Sequence, residues 1–256
     1  MSTFVPHRFA AVSWRTRVEL LAARAEEWGV TLSPQQVEAF ALYHRELVLW
    51  NERVNLTSVT DPEEVLVKHF LDSLSCLQVL DTLAPDAQCI DIGAGAGFPG
   101  LPLKMARPSI RMTLLESVGK KVSFLEHMVK ALGLEDVHVL RGRAEELGRH
   151  PDYREVFDVA LARAVAQMAV LVEYALPLLR LGGVFVAQKG AEVGEEVEAA
   201  LPAMKLLGGR LRELREVNLP GLDDPGHLVV VEKVCSTPER YPRRPGIPTK
   251  RPLLEA

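Results

Sequence analysis

The spacing of apolar residues predicts helices through most of the first 80 residues. One set of apolar positions recurs every three or four residues and ends before Gly29: Trp14, Val18, Leu21, Ala25 and Trp28. Residues 33–36 read Ser-Pro-Gln-Gln, a capping sequence that predicts a second helix running to about residue 51. Residues 61–64 read Asp-Pro-Glu-Glu and predict a third helix over 62–79. We therefore expect an N-terminal helical extension over residues 1–80.

Beyond residue 80 the pattern changes to short apolar runs that alternate with helical patterns. The runs that predict strands are 88–92, 111–115, 137–140, 157–162 and 183–188, and the helical patterns cover 99–106, 119–132, 166–180 and 192–207. This alternation predicts a parallel sheet with helices on both faces, because parallel neighbours need crossover connections. Residues 210–218 and 227–234 follow with no helix between them, which predicts an antiparallel hairpin. The expected fold is α/β, with a seven-stranded, mostly parallel sheet in a core domain over 81–235.

The last segment, residues 236–256, has a composition unlike that of the core. It contains five prolines, five basic residues and little apolar content. Such a segment is expected to stay outside the core and to be extended and mobile when free.

Composition and charge exclude several classes of protein. Acidic residues number 34 and basic residues 30, so the net charge of −4 gives no global signature of a nucleic-acid binder, and any such site must be a local patch. The three cysteines have neither disulfide-framework nor zinc-site spacing, and we predict no metal. No signal-peptide core or membrane span is recognisable, so we expect a soluble, cytoplasmic and monomeric protein.

The glycine-rich segment after the first predicted strand is the clearest candidate for chemistry. Gly93, Gly95 and Gly97 permit a tight turn and let a ligand lie against the backbone at the carboxyl edge of the sheet. The glycines alone fit a nicotinamide cofactor, S-adenosylmethionine or a turn without a ligand. Asp91 favours S-adenosylmethionine, because a carboxylate suits the cofactor's ammonium group better than a pyrophosphate.

Acids at the ends of the next two strands suggest an adenosine site. Glu116 ends the second strand, where a carboxylate can bind both ribose hydroxyls. Ser117 and Val118 would border the adenine, and Ala144 and Glu145 could reach its exocyclic amine. The alternative for Glu145 is a solvated acid at the start of a helix.

A polar face on the third helix has two interpretations. His69, Asp72, Ser73 and Cys76 lie on one face, but residues of a single helix cannot easily form a nucleophilic relay with an oxyanion hole. The face either contacts a substrate or forms a hydrogen-bonded cap between the helices and the sheet. Asn55, before this helix, carries the same ambiguity.

Three cations fall at the carboxyl edge of the predicted sheet. Arg163 and Lys189 end the fourth and fifth strands, and Arg143 follows the third. They indicate a ligand with phosphates or, alternatively, surface ion pairs.

An ordered set of sequence blocks resembles the bacterial 16S ribosomal RNA guanine-N7 methyltransferase family RsmG, also called glucose-inhibited division protein B. The blocks are WNERVNLTSVTDPEEVLVKHFLDSL, DIGAGAGFPGLPL, LLESVGKKVSFL, RAEEL, FDVALARAVA, the KG of AQKG, and HLVVVEK. Together they cover about residues 35–235. The resemblance implies a Rossmann-like methyltransferase that uses S-adenosylmethionine to methylate N7 of a guanosine in the decoding region of 16S rRNA, at the position usually numbered 527.

The resemblance also implies roles for individual residues. Cofactor contacts are expected at Gly93, Phe98, Glu116, Ser117, Val118, Ala144, Glu145 and Arg163. Arg143 and Lys189 are the candidate catalytic residues on the RNA side. The residues themselves, rather than the resemblance, suggest further RNA contacts: Asn55, His69 and Asp72 near the polar helix face, and the basic Arg243 and Arg244 in the C-terminal segment.

Two other functions remain open from the sequence. One is a nicotinamide-dependent oxidoreductase, and the other is a non-catalytic rRNA-binding factor for assembly of the small ribosomal subunit. Methylation at guanine N7 needs no general base, because N7 carries a lone pair and no proton, so positioning should dominate catalysis.

Overall fold

The N-terminal part of the chain is helical, as its sequence pattern predicts. The computed structural model describes residues 14–80 and 83–254. The N-terminal α-helices are α1 (Trp14–Glu26), α2 (Pro34–Val54), α3 (Pro62–Val65) and α4 (Asp72–Ser75). Ser33 and Asp61 cap α2 and α3 through their side chains, which confirms both predicted helix starts. Residues 1–13 of the predicted extension and the side chain of Trp14 lie outside the described residues.

The third predicted helix is continuous but changes its winding. Between α3 and α4 the segment Leu66–Leu71 is a π-helix, and Cys76–Val79 continues α4 as a 3₁₀-helix. A π-helical turn is rare and is often found at a functional site. The sequence predicts a helix here but not this local widening. His69, within the π-helical segment, and Asp72, just after it, both contact Arg163 at the end of β4.

The chain after residue 83 forms one mixed sheet in the predicted order of elements. The strands are β1 (Gln88–Ile92), β2 (Arg111–Glu116), β3 (Val137–Arg141), β4 (Phe157–Arg163), β5 (Leu179–Lys189), β6 (Gly209–Val217) and β7 (Gly226–Lys233). The helices among them are α5 (Gly100–Ala106), α6 (Gly119–Ala131), α7 (Ala144–Leu147), α8 (Met168–Ala175) and α9 (Gly194–Leu206). A last helix, α10 (Ile247–Lys250), follows in the C-terminal segment.

The strand order creates a natural ligand site. The order is β3-β2-β1-β4-β5-β7-β6, with the first five parallel and β7 antiparallel to both β5 and β6. The predicted parallel sheet and C-terminal hairpin are therefore confirmed. The chain order reverses between β1 and β4, and open α/β sheets bind ligands at the carboxyl ends of such strands.

One predicted helix boundary is wrong. The pattern over 166–180 predicts a single helix, but α8 ends at Ala175 and a 3₁₀ turn over Leu176–Leu178 leads directly into β5. Pro177 lacks a backbone donor and ends helical pairing there. The strand therefore begins at Leu179, four residues before the predicted run.

Two apolar clusters cover the two faces of the sheet. Alternate residues of β1 divide between them, with Cys89 on one face and Ile90 on the other. Phe40 and Leu47 of α2 belong to the first cluster together with residues of β2 and β4, so the N-terminal helices share a core with the sheet. No helix in the described ranges is long and apolar enough to cross a membrane.

The C-terminal segment packs on the second face, which corrects the expectation of an extended segment outside the core. Tyr241 is only 7% exposed and belongs to the second apolar cluster. The guanidinium of Arg154 donates to the carbonyl oxygens of Tyr241 and Thr237, and that of Arg149 to Pro242. The proline-rich backbone is held because Arg149 and Arg154, which follow α7, donate hydrogen bonds to its carbonyl groups, which composition alone does not indicate.

Candidate functional site

A cavity of about 450 Å³ opens at the carboxyl ends of the parallel strands. This volume is typical of a small-molecule site. The lining residues come from the loops after β1 to β4, from α8 and from the C-terminal segment, and they include Gly93, Ser117, Gly142, Arg143, Ala144, Glu145, Val165, Tyr174, Thr249 and Pro252.

The glycine loop has a backbone conformation that residues with a side chain rarely adopt. Gly95 and Gly97 have φ angles of 59° and 92°, in the left-handed region. A Cβ on Gly97 would lie 2.5 Å from the side chains of Leu101 and Tyr43, whereas a Cβ on Gly95 would meet nothing closer than the Gly93 carbonyl at 3.7 Å. The backbone at Gly95 is thus open to the close approach of a ligand.

Asp91 lies beneath this loop. Its side chain is fully buried, and its Oδ2 accepts a hydrogen bond of 2.8 Å from the backbone N–H of Gly100. Its Oδ1 has no hydrogen-bond partner among the described residues. Burial raises the pKa of Asp91 to about 7. The structure gives Asp91 a part in holding the start of α5, and its predicted contact with a cofactor ammonium group remains a prediction.

Glu116 ties the glycine loop to the end of β2. Its Oε2 accepts from the Gly95 N–H at 3.0 Å, and its Oε1 accepts from the Val118 N–H at 2.8 Å. Ser117 lines the cavity, whereas Val118 is 48% exposed beside it. The carboxylate is therefore fixed where the sequence predicts a ribose-binding acid.

Glu145 is buried, so the alternative of a solvated acid is wrong. The residue is 2% exposed because the C-terminal segment covers it, and its Oε1 accepts from the Gly246 N–H at 2.9 Å. The cavity runs from Gly93 past Ser117 to Ala144 and Glu145. An open glycine backbone and nearby carboxylates, which accept hydrogen bonds and attract cations, fit a nucleoside with a cationic amino-acid arm. S-adenosylmethionine is such a nucleoside.

Arg163 joins β4 to the π-helical segment. Its Nη1 lies 3.0 Å from Oδ2 of Asp72 and 2.8 Å from the carbonyl oxygen of Lys68. Its Nη2 lies 3.2 Å from Nδ1 of His69, and its Cζ lies 4.9 Å from the centre of the Phe98 ring. A phosphate or a cofactor would therefore have to compete with these partners for Arg163. The pairing with Asp72 agrees with the alternative of an ion pair.

His69 and Asp72 form the hydrogen-bonded cap that the sequence left as one of two alternatives. His69 is 8% exposed, and its Nε2 lies 2.8 Å from Oγ1 of Thr57. Burial, with Arg163 adding to it, lowers the pKa of His69 to about 4, so the ring is neutral near pH 7. Asn55, in contrast, is exposed and ends α2 with a left-handed φ of 50°. RNA contact by these three residues remains a prediction.

Lys189 and Arg143 differ in their surroundings. Nζ of Lys189 lies 2.7 Å from Oε1 of Glu196 and donates to the carbonyl oxygen of Ala166 at 2.9 Å, so Lys189 is in an ion pair. Arg143 is exposed and lines the cavity. The strand ends bring Arg143, Arg163 and Lys189 to the same edge, as predicted, but only Arg143 faces the cavity among them.

The two candidate RNA contacts in the C-terminal segment, Arg243 and Arg244, also differ in their surroundings. Arg243 forms a two-point ion pair with Glu173, whose side chain is completely buried, with Nη2 and Oε2 only 2.6 Å apart. Arg244 is exposed. The position of Arg243 therefore argues against its predicted phosphate contact, because releasing it would leave a buried carboxylate unpaired.

Two residues that shape this site, Tyr43 and Glu173, were not predicted from the sequence. Tyr43 donates its hydroxyl proton to the carbonyl of Ala96, and its ring stacks on Phe98 with 5.3 Å between centroids. Nothing in the apolar pattern of α2 distinguishes this tyrosine from a core residue. Glu173 did carry a signal, since it is a single acid within the apolar run MAVLVEYA of α8.

The fold and the site together define a Rossmann-like methyltransferase that depends on S-adenosylmethionine. Among solved structures, this chain is similar to NSun6 from Pyrococcus horikoshii, with a TM-score of 0.52 and 18% sequence identity. The superposition covers 65% of this chain and 52% of the NSun6 chain. At that identity the likeness concerns the fold alone. Within residues 14–80 and 83–254, no group of three His, Cys, Asp or Glu side chains is placed to hold a metal ion.

Sequence comparison identifies the family to which this chain belongs. The model of the family rRNA small subunit methyltransferase G matches residues 36–220. A relative from Roseiflexus castenholzii, the ribosomal RNA small subunit methyltransferase G, is 52% identical over 90% of this chain and 97% of its own length. The protein of that name from Alkaliphilus metalliredigens is 47% identical over 91% and 98%. The chain belongs to this family.

Proposed function

We propose that the protein transfers the methyl group of S-adenosylmethionine to N7 of a guanosine in 16S rRNA of the small ribosomal subunit. Relatives named for small-subunit rRNA methylation match nearly the whole chain, which supports the substrate class. The choice of guanine N7 is supported by the chemistry of the polar groups near the glycine loop, at the carboxyl edge of the sheet.

The choice of N7 rests on three polar side chains near the glycine loop, His69, Asp72 and Lys189, which are held by fixed partners, while Asp91, whose Oδ1 has no partner among the described residues, is fully buried beneath the loop. Both ring nitrogens of neutral His69 have polar contacts, Asp72 is paired with Arg163, and Lys189 is paired with Glu196. A reaction that removes a proton from its acceptor would need a base free to receive it. N7 has no proton, so this edge suits it.

The proposed transfer forms one bond and breaks one bond, and no proton is removed. The N7 lone pair forms a bond to the methyl carbon while the bond from that carbon to sulfur breaks, so the sulfonium becomes a neutral thioether. The positive charge passes to the guanine ring. Bound S-adenosylmethionine supplies the electrophilic methyl group, and the chain's own task is to hold guanine in line with it and to exclude water.

Residues of the glycine loop, its neighbours and the cavity divide this task. The fixed Glu116 and the open Gly95 backbone orient the cofactor's sugar, and the stack of Phe98 between Tyr43 and His69 holds the loop rigid. Arg143, exposed at the cavity, is suited to a phosphate or to guanine O6. It is not assigned to N7, because an arginine bound to O6 and N7 together would block the reacting atom.

An atom substitution tests the proposal. Purified protein and radiolabelled S-adenosylmethionine are incubated with two 16S rRNA transcripts, one normal and one with 7-deazaguanosine in place of guanosine. We expect label in the normal transcript only. Label in both would move the reaction to another atom, and cofactor binding without label in either would favour a non-catalytic assembly factor.

A further inference from the structure

The C-terminal segment is held against the core as far as the cavity. Oε1 of Glu173 accepts from both the backbone N–H and the side-chain Nε of Arg243, each at 2.8 Å. This buried pair fixes the segment three residues before Gly246, which turns with a φ of 79°. The turn directs the following residues toward the cavity.

Beyond the turn the segment contacts the adenine end of the cavity. The Gly246 N–H donates to Glu145, one of the two residues expected at the exocyclic amine. Oγ1 of Thr249 lies 3.0 Å from the hydroxyl of Tyr174. Thr249 and Pro252 both line the cavity, as Ser117 and Glu145 do.

We propose that residues 246–252 are part of the cofactor site, where they form the wall over the adenine end of S-adenosylmethionine. The inference rests on the cofactor position used in the proposed function. Glu145 links the segment to the cavity, because its carboxylate accepts a hydrogen bond from Gly246 of the segment and the residue also lines the cavity. A ligand that contacts the docked segment stabilises docking, and docking in turn tightens ligand binding.

Binding measurements on point variants test this wall. Gly246→Val puts a branched side chain at a φ that it rarely adopts, while its Cβ would meet no atom within 4 Å, so the segment's turn alone is disturbed. Gly221→Val is the matched control, because Gly221 has a φ of 74° and an equally open Cβ position but lies in the loop between β6 and β7, away from the cavity. S-adenosylhomocysteine is titrated into each by calorimetry, with circular dichroism as the check of folding.

We expect S-adenosylhomocysteine to bind Gly246→Val at least about tenfold more weakly than the wild type, and to bind Gly221→Val as well as the wild type. Thr249→Val, which removes only the contact with Tyr174, should weaken binding less. Equal affinity of wild type and Gly246→Val would overturn the inference. Tighter binding by Gly246→Val would also overturn it, because the segment would then compete with the cofactor.

Limited proteolysis of the wild type gives a readout that needs no variant. Trypsin can cut after the exposed Lys250, and saturating S-adenosylhomocysteine should slow that cut at least about tenfold. An unchanged rate despite measured binding would overturn the inference but leave the proposed function intact. Failure of the wild type to bind S-adenosylhomocysteine would overturn both.

Discussion

At the scale of single residues, the glycine loop depends on side chains from several different elements. Tyr43 reaches it from α2, Asp91 from β1 and Glu116 from β2. The glycines and the two acids were predictable because they stand at fixed offsets from a strand. The tyrosine was not, because its partner, Ala96, is 53 residues away and only the packed fold brings them together.

Tyr43→Phe is predicted to loosen the loop. The change keeps the ring stack on Phe98 but leaves the carbonyl of buried Ala96 without its donor, at a cost of about 1–3 kcal/mol. Urea unfolding should show that loss, and calorimetry should show weaker binding of S-adenosylhomocysteine. Tyr153→Phe, at a half-buried tyrosine beside His150, is the control. Equal effects of the two variants would contradict this role.

Two buried titratable groups should oppose each other in the pH dependence of stability. Burial lowers the pKa of His69 from 6.5 to about 4, so the unfolded chain binds more protons there and stability rises with pH over that interval. Burial raises the pKa of Asp91 from 3.8 to about 7, so the folded chain binds more protons and stability falls with pH over nearly the same interval.

Removing either group should reveal the other. Between about pH 4.5 and 6.5, the free energy of unfolding of Asp91→Asn should rise with pH relative to the wild type, by at most about 1.4 kcal/mol per unit. His69→Asn should fall relative to the wild type over the same range. Urea titrations at several pH values measure both. Profiles parallel to that of the wild type would show that these groups do not titrate as described.

At the scale of elements, the sequence predicted the sheet well and the C-terminal segment badly. Strand positions follow from local apolar runs, and the order of strands and helices follows from their alternation. Docking of residues 236–254 depends instead on a buried acid in α8 and on Arg149 and Arg154. Those partners are 70 to 93 residues away along the chain, so no local pattern reports them.

Arg243→Ala is predicted to be strongly destabilising. It leaves the carboxylate of Glu173 buried without its partner, which costs about 3–5 kcal/mol. Arg244→Ala, at the exposed neighbour, should change stability by less than about 0.5 kcal/mol. Chemical unfolding compares the two, and adding Glu173→Gln to Arg243→Ala should recover part of the loss. Similar small effects at both arginines would mean that the pair does not hold the segment.

At the scale of the whole molecule, the predicted boundary near residue 80 separates helices from sheet but does not divide the core. Phe40, Leu47 and Leu74 pack in the same cluster as Leu114 of β2 and Leu161 of β4. The boundary was read from a change in local pattern, which carries no information on what packs across it. Shared packing makes the helical extension and the sheet one cooperative unit.

Unfolding probes should therefore agree. All three tryptophans lie in the first 50 residues, so their fluorescence reports on the N-terminal helices, whereas far-ultraviolet circular dichroism reports on the whole chain. The two thermal midpoints are expected to coincide within about 2 °C. An earlier fluorescence transition would instead identify the helices as an independent unit.

Mapping the methylated atom in the RNA tests the proposed N7 transfer without any variant of the protein. Unmodified 16S rRNA or small subunits are incubated with the protein and S-adenosylmethionine, then treated with borohydride and aniline, which cleave the strand at N7-methylguanosine. We expect one new break, at a single guanosine in 16S rRNA, that requires the cofactor. Methyl incorporation without any break would contradict it.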